Sequence, residues 1–155
     1  MNIEYINPFI EASQTVLMQI ANIEAKLGKV YLKESPYKGE TVAIIVGLTG
    51  TIRGQALFIM NTQVALKIAS KMMAGMPITE LDEISKSAIS ELANMILGNT
   101  ATILYNKGIG IEITPPSFVM GDNLQISTNK MKTICVPLFL NETDILEIDI
   151  SVADV

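Results

Sequence analysis

The feature that most constrains this chain is one long helical rhythm. From Glu80 to Asn106 apolar residues recur every three or four positions, which predicts a single helix roughly 40 Å long at about 1.5 Å per residue. Thr79, with Asp82 three residues on, makes a box-like cap at its start. Gly98 interrupts the helix without ending it, and Gly108 ends it. The rest of a 155-residue chain must supply the surface that buries one face of this helix. That length fits a single domain, residues 1–155. Hydrophobic residues make up 49% and charged residues 17%, enough apolar material for a packed core and too little charge for disorder.

The remaining segments alternate in type. Asn7-Pro8 precedes an apolar-periodic run that predicts a first helix from Phe9 to about Leu27, with Pro8 in its first turn and Gly28 at its end. Lys29 to Glu34 reads as a strand with Val30 and Leu32 on one face, and Pro36 to Gly39 as a turn. Thr41 to Leu48 and Thr51 to Met60 read as two strands joined by a hairpin turn. Asn61 or Thr62 caps a helix from Gln63 to Ala74. After the long helix come strand-like runs at Ile109 to Ile113, Asn123 to Ser127, Thr133 to Leu140 and Ile145 to Val152, with Pro115-Pro116 breaking the first. This order predicts an α+β fold, with long helices against a largely antiparallel sheet.

A shift of about 80 residues superimposes the two halves. Gly28 falls on Gly108, Pro36 on Pro116, and Leu57-Phe58-Ile59 within about one residue of Leu138-Phe139-Leu140. The same shift places Glu11 on Glu91 and Gln14 on Asn94.

Several functions are excluded by composition. The formal net charge is -5 and the basic residues form no runs, so neither nucleic acid nor an anionic membrane is an expected partner. The chain has no histidine, which rules out Ser-His-Asp and Cys-His mechanisms and removes the commonest zinc ligand. Cys135 is the only cysteine and lies in a β-rich apolar run, where an inert core thiol is expected. No metal site or cofactor of its own is expected. The N-terminal residues lack a basic region followed by an apolar run, and no apolar stretch approaches the ~20 residues that span a bilayer, so a cytoplasmic location is expected.

One polar face stands out. Ser87, Glu91, Asn94 and Gly98 are spaced by four, three and four residues and so share one side of the long helix. Leu81, Ile89, Leu92 and Ile96 lie toward the opposite, core-facing side. Ser87, Ser90 and Gly98 are small and leave Glu91 and Asn94 standing clear for a partner surface. Glu and Asn three apart on a helix also recur by chance as a plain solvated face.

The wider sequence adds specificity. Ser87-Ala88-Ile89-Ser90-Glu91-Leu92-Ala93-Asn94-Met95-Ile96-Leu97-Gly98-Asn99-Thr100 resembles the signature helix of the CheX/CheC family of chemotaxis phosphatases. Val42 to Gly50 resembles the family's first hairpin strand and Arg53 to Leu57 its return strand. Ala65 to Gly75 is similar to the helix that follows. Ile113-Thr114-Pro115-Pro116 and Val119-Met120-Gly121 resemble the segment after the signature helix. The resemblance implies a CheC-like fold with pseudo-duplicated halves, a fold shared with flagellar switch proteins. It implies dephosphorylation of the phospho-aspartate of a CheY-type response regulator. In that family mechanism Asn94 would orient the attacking water and Glu91 would form a salt bridge with a partner lysine. Mg2+ would be supplied by the partner. Ser87, Ser90 and Gly98 would line the docking face. One such motif, in the second half, matches the CheX pattern, whose members are typically homodimers. Glu11 and Gln14 then mark a degenerate second site. The alternative is a non-catalytic receiver-binding or scaffold module related to the switch proteins.

Other candidates have plainer readings. Gly47, Gly50 and Gly54 lack the Gly-Lys-Ser/Thr of a phosphate loop and read as turn glycines. Met72, Met73, Met76 and Met95 read mostly as core, although they also suit an adaptable binding patch. Gly121-Asp122-Asn123 reads as a turn rather than a cation site.

Overall fold

The computed structural model of the chain describes residues 3–33, 36–126 and 131–153. The elements in order are α1 (Ile3–Ala21), β1 (Lys26–Leu27), β2 (Tyr31–Leu32), β3 (Glu40–Gly50), β4 (Gly54–Met60), α2 (Thr62–Met72), α3 (Glu83–Asn106), β5 (Ile111–Ile113), β6 (Ser117–Asp122), β7 (Thr133–Phe139) and β8 (Ile145–Val152). The strands form one antiparallel sheet in the order β1-β7-β8-β4-β3-β5, with β2 also paired to β7 and β6 to β3. This is the expected α+β architecture. The alternate residues Val42, Ile44, Val46 of β3 and Ala56, Phe58, Met60 of β4 face the main core with the helices. α1 packs chiefly on α3, and α2 touches both. Lys67 Nζ on α2 reaches Asp144 Oδ2 at 2.8 Å, tying α2 to the connection between β7 and β8.

The sheet order shows how the halves combine. β1 and β2 from the first half pair with β7 of the second, and β5 and β6 from the second pair with β3 of the first. β4 and β8 meet in the middle. The topological counterpart of β4 is therefore β8, not β7, so superimposing Leu57-Phe58-Ile59 on Leu138-Phe139-Leu140 is incorrect. The 80-residue shift holds for the helices, α1 beginning at Ile3 and α3 at Glu83, and fails in the strands because the intervening segments differ in length.

Local boundaries explain the other departures. α1 starts before Pro8, which sits inside it, and ends at Ala21 rather than near Leu27. Asn22 adopts a left-handed φ of 53°, and its N–H returns to the Met18 carbonyl at 3.1 Å, an αL cap. Ile23 and Ala25 are buried outside the helix, which is why they prolonged its apolar rhythm. Gly28 therefore follows a strand and ends no helix. In contrast Gly108 (φ 82°) closes α3 in a Schellman motif, Ile109 N–H reaching Leu104 O and Gly108 N–H reaching Tyr105 O, both at 2.9 Å. The first residues of the anticipated strand from Lys29 lie in a loop, and Glu34 lies outside the described residues. β6 replaces the strand expected at Asn123 to Ser127. Asn123 to Ile126 are not strand, and Ser127 lies outside the described residues. Gly47 lies within β3 rather than at a turn. A Cβ on Gly54 (φ 156°) would lie 1.9 Å from the Ser151 carbonyl oxygen, so β4 and β8 approach closely there only because the residue is glycine. Of the four methionines only Met72 and Met95 pack against the core, and Met76 is 57% exposed. Asn123 Oδ1 accepts from the Gly39 N–H at 3.1 Å, so it closes a loop–loop contact.

The sheet face away from the helices has a different character. A small cluster of Ala43, Leu57 and Ile59 is covered by Tyr37, Leu124 and Ile126. Beside it Tyr31 donates to Glu147 Oε1 and Tyr37 to Asp149 Oδ2. Burial, reinforced by the adjoining Asp149, pushes Glu147 up to about 7. Burial likewise raises the Cys135 thiol and both tyrosine hydroxyls.

Candidate functional site

The site is built on α3. Asp82, not Thr79, is its N-cap. Its Oδ1 accepts from the Ser85 N–H at 2.9 Å and from Ser85 Oγ at 2.7 Å. Those hydrogen bonds, the backbone one first, hold the Asp82 carboxyl below the usual carboxylate range. Ile89, Leu92, Ala93, Ile96 and Leu97 are buried and pin the helix to the core, while Leu81 lies before the helix and is half-buried. With both ends capped and one face buried, the other face is a rigid platform.

That platform carries the expected residues together. Ser87 and Glu91 are exposed, and Ser90, Asn94 and Gly98 are half-buried. Among the described residues neither the Glu91 nor the Asn94 side chain has a hydrogen-bond or ion-pair partner. A Cβ at Gly98 would meet nothing within 4 Å, so no internal contact requires glycine here, and the open space faces outward. Glu91 belongs to no group of three close acidic or thiol donors among the described residues. What the platform offers is a free amide, a free carboxylate and a low rim, suited to orienting a water and meeting a cation on another molecule.

Sequence spacing alone missed two neighbours. Ile84 is 65% exposed and Tyr105 is 75% exposed, and both fall on the same stripe, one near each end of α3. Their positions, three residues before Ser87 and seven after Gly98, were readable as that face. From the sequence they were assigned to neither face.

The matching residues of α1 are placed alike. Glu11 and Gln14 show the burial of Glu91 and Asn94, exposed and half-buried, and the flanking pairs 12/92, 13/93, 16/96 and 17/97 are all buried. The chemistry differs. Gln14 Nε2 donates to the Ala25 carbonyl at 3.1 Å, so its amide is engaged within the chain. The rim differs as well: Asn7, Ile10 and Met18 stand where α3 has Ser87, Ser90 and Gly98.

Comparison with known proteins adds to this geometry. The model of the family described as chemotaxis phosphatase CheX matches residues 42–139. The CheY-P phosphatase CheX of Thermotoga maritima is 34% identical over 128 residues, 83% of each chain. A CheC-like superfamily protein from Shewanella sp. PV-4 superimposes with a TM-score of 0.87 at 29% identity, covering 99% of this chain and 100% of that one. The CheX–CheY–BeF3–Mg2+ complex from Borrelia burgdorferi gives a TM-score of 0.83 at 33% identity, again over 99% and 100%.

Proposed function

This chain belongs to the CheX family of chemotaxis phosphatases, and from that premise we propose that it hydrolyses the phospho-aspartate of a CheY-type receiver domain. The observation that carries the residue assignment is the free Asn94 amide on a rigid, half-buried platform, set against the tethered Gln14. Asn94 orients the attacking water. Glu91 forms a salt bridge with a lysine of the partner, and Ser87, Ser90 and Gly98 let the two surfaces close. Aligning the water for in-line attack needs no strong base, so the exposed Glu91 docks rather than deprotonates.

So sparse a site is chemically sufficient. An acyl phosphate already hydrolyses spontaneously, and a hundredfold acceleration needs only ~2.7 kcal/mol. Positioning can supply that amount. Phosphoryl transfer depends on alignment and charge stabilisation more than on a strong base. The positive charge comes from Mg2+ held by the receiver. The related complex that contains CheX, CheY and Mg2+ together supports this division of labour. The proposed location is the cytoplasm, where a partner of this kind would be met; no helix among the described residues is long and apolar enough to cross a membrane.

The chain acts as one domain and as a homodimer. Exposed Leu27, Tyr31 and Leu32 on the β1/β2 edge are apolar surface that a second copy would bury. A monomer in sedimentation at micromolar concentration would contradict the dimer. The activity is tested with a purified phosphorylated receiver. Wild-type protein is expected to accelerate phosphate loss at catalytic ratios, whereas binding without acceleration would mark a docking module instead.

A further inference from the structure

On the sheet face turned away from the helices, polar side chains from three strands and a loop converge. Cys135 on β7 lies directly across from Asp149 on β8 and from Tyr31 on β2. Glu147 precedes Asp149 by two residues and therefore shares its face. One donor atom from each of Cys135, Glu147 and Asp149 lies within 4.8 Å of the others. Asp149 is 0% exposed. Its Oδ2 is held by the Tyr37 hydroxyl, while its Oδ1 is buried with no hydrogen-bond partner. Such an oxygen beside a thiol and a second carboxyl is costly unless a proton or a cation sits between them.

We propose that Cys135, Glu147 and Asp149 form a binding site for a thiophilic divalent cation of the zinc class. One thiolate sulfur and two carboxylate oxygens make a mixed donor set suited to a borderline-soft ion, whereas Mg2+ and Ca2+ take oxygen alone. Bond lengths of about 2.0–2.3 Å put tetrahedral donors ~3.5 Å apart, so side-chain rotation closes the present spacing. Tyr31 and Tyr37 each hold one carboxylate by one oxygen, the outer support that metal-ligating carboxylates commonly have. The fourth position is left to water; the cavity lined by Lys33, Tyr37, Leu57, Thr133 and Ser151 adjoins the cluster through Tyr37, the donor to Asp149. Three ionised donors around a divalent ion leave one net negative charge. The Lys33 ammonium, 3.5 Å from the Tyr37 ring centroid, offsets part of it. On binding, the thiol proton and the proton carried by the Glu147 carboxyl are released to solvent, and the metal takes their place on sulfur and oxygen. The site lies across the sheet from α3 and holds β7 to β8, so its role is structural.

The test is a Co2+ titration of chelator-stripped, reduced protein, followed by thiolate-to-cobalt charge-transfer absorption. The band is expected to saturate near one equivalent and to vanish when Zn2+ is added. Cys135→Ser should abolish the band, and Glu147→Gln should weaken cobalt binding at least ~10-fold, with circular dichroism confirming both folds. Absence of the band at a large cobalt excess would overturn the proposal. So would full displacement of Co2+ by equimolar Mg2+, or cobalt binding unchanged in Glu147→Gln.

Discussion

α1 and α3 are two versions of one helix. They start 80 residues apart and bury the same flanking positions, and both carry a glutamate followed three residues later by a side-chain amide. They differ in what surrounds that pair. On α3 the amide is free and the rim is Ser87, Ser90 and Gly98. On α1 the amide is tied to Ala25 and the rim is Asn7, Ile10 and Met18. On the proposed reading the platform is retained on α1 while its chemistry is lost, through one hydrogen bond and a few larger side chains. The spacing of the acid and the amide is the same on both helices; access and freedom of the amide are what set the proposed site on α3 apart from the pair on α1.

Placing the α1 side chain on α3 should break the comparison most severely. Gly98→Met carries the residue of position 18 into the open rim. It should lower accelerated dephosphorylation by about a hundredfold, equivalent to ~2.7 kcal/mol. The fold should hold or gain stability, because methionine is the better helix former and a Cβ at position 98 meets nothing within 4 Å. Loss of helicity by circular dichroism would void this reading. Glu91→Gln removes one partner of the proposed intermolecular ion pair. It should cost about tenfold, expressed mainly as a higher receiver concentration for half-maximal rate and a weaker salt dependence. Gln14→Ala should leave turnover unchanged and lower stability by about 1 kcal/mol, the worth of its bond to Ala25, read by denaturant midpoint.

The halves also differ across the sheet. Leu57 and Ile59 on β4 pair with Asp149 and Glu147 on β8. Because burial raises Glu147 from 4.5 to about 7, the folded state binds its proton more tightly than the unfolded chain. Stability in metal-free buffer should therefore fall as pH rises through that window and level off above it. Glu147→Gln should flatten this slope. An equal slope in both proteins would place the titration elsewhere.

Much of this was visible in the residues themselves. α3's C-terminus and both ends of β8 followed from Gly108 and from the apolar alternation, since those boundaries are set locally. The end of α1 was hidden because Ile23 and Ala25 are buried by tertiary packing after the helix has stopped. β6 was hidden between Pro116 and Gly121, where pairing with β3 overrides weak local preference. That Glu91 and Asn94 share one exposed face of α3 was legible from helical spacing. The tether on Gln14 was not, because it crosses to a loop beyond the helix end. The cluster of Tyr31, Tyr37, Cys135, Glu147 and Asp149 was illegible for a related reason: sheet topology alone brings its distant segments together.

The most direct measurement follows the decay of a phosphorylated CheY-type receiver, with its Mg2+, in the presence of wild type, Asn94→Ala and Gln14→Ala at saturating concentration. Asn94→Ala is predicted to bind the receiver yet leave decay near its unassisted rate, while Gln14→Ala matches wild type. Acceleration retained by Asn94→Ala, or lost in Gln14→Ala, would contradict this prediction.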